Sequence, residues 1–437
     1  MSDTRPAVTP ATLDRMREDW NARATEDASY YVAFGRRDQD DEEFFETGRE
    51  IVAGLEWELR RVPPGPHRQA LEIGCGPGRL MRPMARHFAE IHGVDVSDQM
   101  IERARRNLAE TPNAFPRLGD GARLSAYAPG QFDFAYSYAV FQHIPSKEVV
   151  YEYLRELNRV LKVGAVARLQ FSGLPEDTFA NTWSGVRFTA QELREFTRQR
   201  GFQVLTLEGE GTQYQWTTWR KREPAWRLSL PDLAAISTAR IRRVTNANRA
   251  EPVAPSRGRF ASISLWVEGL PDEVDLFDLD VRIGGVRARP TYIGPADEQG
   301  LQQVNVLMPE LDRTGLVPAE LYWFEQRLSH AASLRVIPPG PAVPRLLALS
   351  DGVNLLSERR VESGTLKATF EELERPEEFS ATLNGIPVVG LEVFCTDPWT
   401  ERYELNFRVP DGVRSGRATL EMRVGRRQFP PVELEIA

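Results

Sequence analysis

The segment Leu71-Glu72-Ile73-Gly74-Cys75-Gly76-Pro77-Gly78-Arg79-Leu80 constrains the fold of this chain more than any other. An apolar run, Gln69 to Ile73, breaks into three alternating glycines and passes into a helical pattern over Arg79 to His87. Glycine lets a strand turn sharply into a helix and lets the backbone approach a ligand with no Cβ in the way. The start of the helix then offers unpaired N–H groups and a partial positive charge suited to a carboxylate. Glu72 stands inside the apolar strand, where a carboxylate is costly unless it is paired or liganded.

The surroundings extend this strand–turn–helix unit. Strand-like runs at 90–94, 116–118, 132–137, 165–171 and 202–208 alternate with helical patterns at 98–108, 149–161 and 190–200. A last run, Gln213 to Trp219, closes the series. Ser97 is placed to cap the second helix, and Thr189 with Glu192 forms a capping-box pattern for the last. Strands alternating with helices predict an α/β domain with a mostly parallel, doubly wound sheet. Ahead of it, Thr12 to Trp20 reads as a short helix, and Phe44 to Arg61 as a helix that stops before Pro63-Pro64-Gly65-Pro66.

Two cofactor classes compete for such a turn. A dinucleotide fold shows G-x-G-x-x-G, whereas this chain has G-x-G-x-G with Arg79 in the place of the third glycine. The segment resembles the first motif of class I S-adenosylmethionine-dependent methyltransferases, and the later motifs of that family follow in order. Asp95, in Gly93-Val94-Asp95-Val96-Ser97, ends the second strand. A carboxylate there can accept both ribose hydroxyls, at roughly 1.5–3 kcal/mol per hydrogen bond to a charged group. Asp120, in Leu118-Gly119-Asp120-Gly121-Ala122, stands where the family sets an acid against the adenine amino group. Phe132 to Tyr138 resembles the fourth strand, and Leu157 to Gly164 the helix and turn before the fifth, with Val163 where the family usually has Pro. The resemblance therefore implies a Rossmann-like methyltransferase fold with S-adenosylmethionine as cofactor. It implies cofactor contacts from Glu72, Gly74, Cys75, Gly76, Gly78, Asp95, Val96, Met100, Asp120, Gly121, Ala122, Ser137 and Tyr138. It is ordered over 69–171, looser to about 222, and does not cover the rest of the chain.

What the resemblance implies chemically is methyl transfer by in-line displacement at a sulfonium, to an N, O or C acceptor. Such an enzyme needs alignment, a neutral nucleophile and exclusion of water, and alignment alone supplies roughly 7–11 kcal/mol of the barrier. His143, in Phe141-Gln142-His143-Ile144-Pro145, follows the fourth strand. It is a candidate base or substrate-orienting group, the alternative being a histidine that only hydrogen-bonds a loop. Tyr30, Tyr31 and Phe34 precede the domain as a candidate lid, and Trp183, Tyr214, Trp216 and Trp219 are candidates for the acceptor pocket or for core packing. The fourth strand carries no Asn/Asp-Pro-Pro-aromatic motif, no Pro-Cys nucleophile and no acidic metal ligand at its end. That disfavours adenine, glutamine, cytosine and metal-dependent catechol acceptors. A small molecule, a sugar or a glycan-linked precursor remains.

After Lys221-Arg222-Glu223-Pro224 the helical period fades into short Val/Ile/Leu/Phe runs separated by Gly, Pro, Asn and Asp. The pairs Val244/Leu349, Gly285/Gly385, Pro309/Pro410, Gly315/Gly416 and Leu334/Leu434 keep an offset of about 100–105 residues, the size of one sandwich domain. The expected organisation is a methyltransferase domain with a helical lid over 1–222, a linker over 223–235, and two tandem β-sandwich modules over 236–336 and 340–437. In pattern the modules resemble immunoglobulin-like domains. Their expected roles are acceptor binding, spacing or homo-oligomerisation.

The net charge of −8 argues against a broad grip on DNA or RNA. Two cysteines make no disulfide framework, and no apolar run is long enough to span a membrane, so a cytoplasmic protein is expected. None of the five histidines pairs with another His or with Cys at ligand spacing, so no metal is expected. Two other readings stay open: a non-catalytic nucleoside-binding scaffold whose modules recruit a partner, and an RNA or protein methyltransferase.

Overall fold

A computed structural model describes residues 8–33, 37, 39–175, 180–229, 239–355, 357, 359–397 and 400–437. Phe34, and residues 230–235 of the expected linker, lie outside the described residues. Helix α1 (Pro10–Ala33) begins earlier than the sequence pattern suggested. Thr9 receives the Thr12 N–H on its hydroxyl, and Pro10 occupies the first turn, where a missing N–H costs nothing. The helix runs on through a non-helical break at Asp27. The pattern at 44–61 splits into α2 (Asp41–Ala53) and α3 (Glu56–Arg61).

Strand β1 (Gln69–Ile73) leads through the glycine turn to a single helical turn, α4 (Met81–Met84), and a 3-10 turn at Ala85–His87. The helix expected over 79–87 is thus much shorter. Then follow β2 (Glu90–Asp95), α5 (Asp98–Asn107), β3 (Ala114–Leu118), β4 (Phe132–Ser137), α6 (Lys147–Val160), β5 (Leu161–Phe171), α7 (Ala190–Gln199), β6 (Phe202–Glu208) and β7 (Gln215–Lys221). Ser97 caps α5, and Thr189 with Glu192 makes the capping box of α7.

The strand order is β3-β2-β1-β4-β5-β7-β6. Strands β3 to β5 are parallel to their neighbours, while β7 returns by a hairpin and pairs antiparallel with both β5 and β6. The fold is therefore Rossmann-like with one reversed strand. Period-two alternation sorts the side chains between the two faces of the sheet. Leu71, Ile73, Ala135 and Leu169 join one apolar core, whereas Ala70, Phe134, Tyr136 and Val166 join the other with Met81 and Met84.

The first β module comprises β8 (Arg240–Asn246), β9 (Val253–Pro255), β10 (Ser262–Glu268), β11 (Leu279–Ile283), β12 (Val286–Ala296), β13 (Leu301–Leu307), β14 (Gly315–Trp323), β15 (Gln326–Arg327) and β16 (Ala332–Ile337). It is joined to the α/β sheet at the β6 edge. Tyr292 of β12 pairs with Thr206, and the Leu276 N–H donates to the Val204 carbonyl at 2.8 Å. The Arg61 guanidinium of α3 donates to the Ile293 carbonyl at 2.5 Å. One apolar core runs from Ile73 to Trp323 through both parts.

The second module comprises β17 (Arg345–Asp351), β18 (Arg360–Val361), β19 (Thr365–Glu371), β20 (Phe379–Leu383), β21 (Ile386–Pro387), β22 (Val389–Asp397), β23 (Arg402–Arg408), β24 (Gly416–Val424), β25 (Arg427–Gln428) and β26 (Val432–Ile436). It forms two sheets, β17-β19-β23-β22 and β18-β26-β24-β20-β21, over a shared core of Phe370, Leu383, Leu405, Phe407, Leu420 and Leu434. The first module repeats this order strand for strand, with β12 in the place of β21 and β22. Residues 1–28 with 41–338 make one compact unit, and residues 29–40 with 339–437 make another. The compact units therefore group the first module with the α/β domain.

Candidate active site

The glycine turn is held close against its neighbours. Gly74 has φ 72°, and a Cβ there would sit 2.3 Å from Val140 Cγ2. The Gly74 and Cys75 N–H groups both donate to the Val94 carbonyl, at 2.7 and 3.0 Å, which locks the turn to the end of β2. The Gly76 N–H donates to Asp95 Oδ2 and the Ser97 N–H to Asp95 Oδ1, each at 2.9 Å. A carboxylate offers about four lone-pair sites, so capacity remains on both oxygens. Burial pushes the Asp95 carboxyl above its ordinary range, against the opposing pull of these backbone donors. Asp120 turns its own loop, with Oδ1 accepting the Ala122 and Arg123 N–H groups at 2.9 and 2.6 Å.

Glu72 is buried and accepts the Tyr136 hydroxyl at 2.7 Å. Burial pushes it up to about 8, so near neutral pH it is largely protonated. Arg79, buried as well, donates from Nη1 to Thr47 Oγ1 of α2 at 3.0 Å and lies 5.7 Å from the ring centre of Tyr138. Tyr138 in turn stacks on Trp216 at 5.4 Å, and the Arg168 guanidinium lies 4.8 Å from the Trp216 ring. Arg168 is anchored by Thr206, Thr218 and Glu208.

His143 sits in a chain of amides. The Ala139 N–H donates to Gln170, Gln170 Nε2 donates to Gln142 Oε1 at 2.9 Å, and Gln142 Nε2 lies 3.2 Å from His143 Nε2. His143 Nδ1 lies 2.7 Å from the Trp183 carbonyl, which can only accept. The proton therefore belongs on Nδ1, and Nε2 accepts from Gln142. Burial lowers the imidazole to about 4, so it is neutral and fully hydrogen-bonded at neutral pH. Trp20 meets it edge-on at 5.6 Å, and Arg23 bonds both Thr182 oxygens beside it.

Helix α1 packs beside the end of β2. Asn21 accepts the Ser97 hydroxyl at 2.6 Å and donates to Asp98 Oδ1 at 2.6 Å, and Arg17 Nε donates to the Val96 carbonyl at 3.4 Å. A Cβ on Gly121, whose φ is 93°, would lie 3.3 Å from Leu13 Cδ2 of the same helix. Tyr30 and Tyr31 belong to the second compact unit.

The structure thus gathers Glu72, Gly74, Gly76, Gly78, Asp95, Asp120, Gly121 and Tyr138 around the carboxyl ends of β1 to β4. Cys75, Val96, Met100, Ala122 and Ser137 are there as buried side chains. Ser137 spends its hydroxyl on the Ile73 carbonyl at 3.1 Å, so it ties β4 to β1. Of the candidate pocket aromatics, Trp219 is core, and Trp183 and Tyr214 are exposed. Arg17, Asn21 and the two glutamines escaped the sequence reading, since their partners are distant in the chain and no local pattern marks them. Arg79 was visible, but only as a residue that is not glycine. Among the described residues no group of three or more His, Cys, Asp and Glu is arranged to hold a metal ion, and no helix is long and apolar enough to cross a membrane.

Residues 70–164 match a family described as "Methyltransferase domain". The malonyl-[acyl-carrier protein] O-methyltransferase of Legionella pneumophila is 32% identical over 149 residues, 34% of this chain and 50% of that protein. The ubiquinone biosynthesis O-methyltransferase of Cereibacter sphaeroides is 27% identical over 212 residues, 45% of this chain and 82% of that protein. The chain spans about half the length of the first curated relatives it matches. A solved structure of Haemonchus contortus phosphoethanolamine N-methyltransferase 1 with phosphoethanolamine and S-adenosylhomocysteine is similar over 50% of this chain and 51% of that one, at 15% identity and a TM-score of 0.39.

Proposed function

We propose that this chain, which carries a methyltransferase domain over residues 70–164, is an S-adenosylmethionine-dependent methyltransferase acting on a small acceptor. The observation that carries the reading is Asp95. Its carboxylate closes β2 beside the glycine turn, is fixed by two backbone N–H groups, and keeps lone pairs for a vicinal diol. The donor set fits the cofactor, with Asp95 for the ribose, Asp120 for the base and the open glycine turn beneath the chain that joins them. When bound, the cofactor supplies an activated methyl group on a sulfonium. The work left to the protein is alignment and exclusion of water. Helix α1 serves the second purpose through Arg17 and Asn21, and His143 serves the first by fixing the Trp183 loop.

An oxygen acceptor is the form of this reading we favour, since the two curated relatives named above are O-methyltransferases. The neutral, fully bonded state of His143 favours an acceptor that brings its own ionised oxygen, a carboxylate or an acidic phenol, over one that needs a base. Formation of S-adenosylhomocysteine tests the reading, with the full chain offered panels of carboxylates, phenols, amines and sugars. Turnover with carboxylates or phenols is expected. Turnover with amines or sugars alone would overturn the acceptor class. Tight nucleoside binding with no turnover on any panel would replace the enzyme by a binding protein.

A further inference from the structure

The two β modules share one strand plan and differ at one edge. The match of Val304-Asn305 to Leu405-Asn406 sets Ile293 and Val393 at equivalent positions, since Ile293 lies opposite Val304 and Val393 opposite Leu405. Tyr292 and Glu392 correspond in the same way, opposite Asn305 and Asn406. Ile293 is 2% exposed. The β6 edge pairs with its neighbour Tyr292, and the Arg61 guanidinium donates to its carbonyl. Val393 is 40% exposed, and among the described residues β22 pairs on one side only, with β23. A strand edge thus covers this position in the first module, and among the described residues no strand does so in the second.

The open edge is also long and apolar. Strand β22 has nine residues, roughly 30 Å of chain. Val389, Leu391, Val393 and Phe394 are each 40% to 49% exposed, and Glu392 is the one charge between Val389 and Thr396. Soluble proteins blunt such edges by shortness, charge or bulges. The remaining sheet edges of this module follow that rule. Strands β18 and β21 have two residues each, and β17 is broken by a bulge at Leu347 and runs between the charges of Arg345 and Asp351. The bulges of β22 do not close it to a partner. Bulges in the equivalent places of β12 flank Tyr292 and Ile293, where β6 is received.

We propose that β22 is an interface between two copies of this chain, formed by antiparallel pairing of β22 with the β22 of the second copy. The β6 edge, which fills this role for β12, is already occupied. A second copy brings the same unpaired, apolar edge. Centred on Val393, the pair sets Leu391 opposite Cys395 and Glu392 opposite Phe394, so no like charges meet. Such an isologous pair closes on itself and leaves neither β22 edge open to further growth.

Light scattering coupled to size-exclusion chromatography of the full chain tests this. The wild type at about 100 μM is expected at twice the monomer mass, a concentration that fills even an interface of modest affinity. Val393→Lys sets two ammonium groups against each other across the two-fold axis. It should return the chain to the monomer mass with an unchanged far-ultraviolet dichroism spectrum. Val393→Cys introduces no charge and supplies a second readout, since air oxidation should join two copies through this residue on a non-reducing gel. Leu316→Cys, at a 77% exposed position of β14, is the control and should stay single. A wild type at the monomer mass, or a Val393→Cys chain that cross-links no more than Leu316→Cys, would overturn the proposal. So would a folded Val393→Lys chain that keeps the double mass.

Discussion

Asp275 joins the α/β domain to the first β module, and its removal has a calculable cost. Its Oδ2 accepts the Val204 N–H of the β6 edge at 2.8 Å and Arg227 Nη2 at 2.7 Å, and its Oδ1 accepts the Phe277 N–H at 2.9 Å. Asp275→Ala leaves two N–H groups without their acceptor and Arg227 with Asp278 as its remaining anion. Breaking a buried pair in this way costs about 3–5 kcal/mol. Relief of the burial cost of the carboxylate, which pushes it up to about 6, brings the expectation to the lower end, about 3 kcal/mol. The sign of its pH dependence follows. The folded pKa lies above the unfolded one, so the native state holds the proton more tightly, and stability falls as pH rises from about 4 to about 6. Asp275→Ala should remove that part of the slope. Urea unfolding followed by the fluorescence of the nine tryptophans, which include the buried Trp219 of the α/β domain and Trp323 of the module, reads both quantities. The two should unfold together in the wild type. A loss below about 1 kcal/mol, the worth of one ordinary hydrogen bond, or two separate transitions over residues 1–338 in the wild type, would refute the account of this junction.

Three further outcomes are expected. His143→Phe should raise the KM for the acceptor by loosening the Trp183 loop, and should leave the kcat/KM profile between about pH 6 and 8 in its wild-type shape, because the imidazole titrates well below that range; a limb near pH 6.5 that vanishes in the variant would restore the base. Glu72→Gln should be more stable than the wild type above about pH 8, since the wild-type carboxyl, raised above its unfolded value, loses stability as pH climbs from about 4.5 to 8; parallel stability curves would contradict this. A chain ending at Arg222 uncovers the β6 edge and should aggregate where one ending at Pro338 stays soluble, as size-exclusion chromatography would show; equal solubility would contradict the coupling.

The chemistry of the N-terminal half was legible because it is local. Three glycines, a strand before them and an acid after the next strand lie within 27 residues of chain, from Gln69 to Asp95, and each has a backbone reason for its identity. The capping signals of Ser97 and Thr189 were legible for the same reason. The reversed β7 was not, since Gln213 to Trp219 has the same apolar character in either direction and only the short hairpin before it sets the sense. Nor was the attachment of the first module. The partners Val204 and Asp275 lie 71 residues apart, and Asp272 to Asp280 reads in sequence as a solvated acidic loop. The structure instead sets Asp275 and Asp278 against Arg227, and Asp272 against Arg220 and Arg222. His143 is a candidate by its place after the fourth strand, but its protonation depends on Gln142, Gln170 and the Trp183 carbonyl, which only the fold brings together.

Isothermal titration of S-adenosylmethionine and S-adenosylhomocysteine into the wild type and Asp95→Ala tests the central claim most directly. Binding of both nucleosides by the wild type is expected, with a loss of about 100-fold or more in Asp95→Ala, the value of two hydrogen bonds to a carboxylate. A folded wild-type chain that binds neither nucleoside, or an Asp95→Ala variant that binds them as tightly as the wild type, would contradict it.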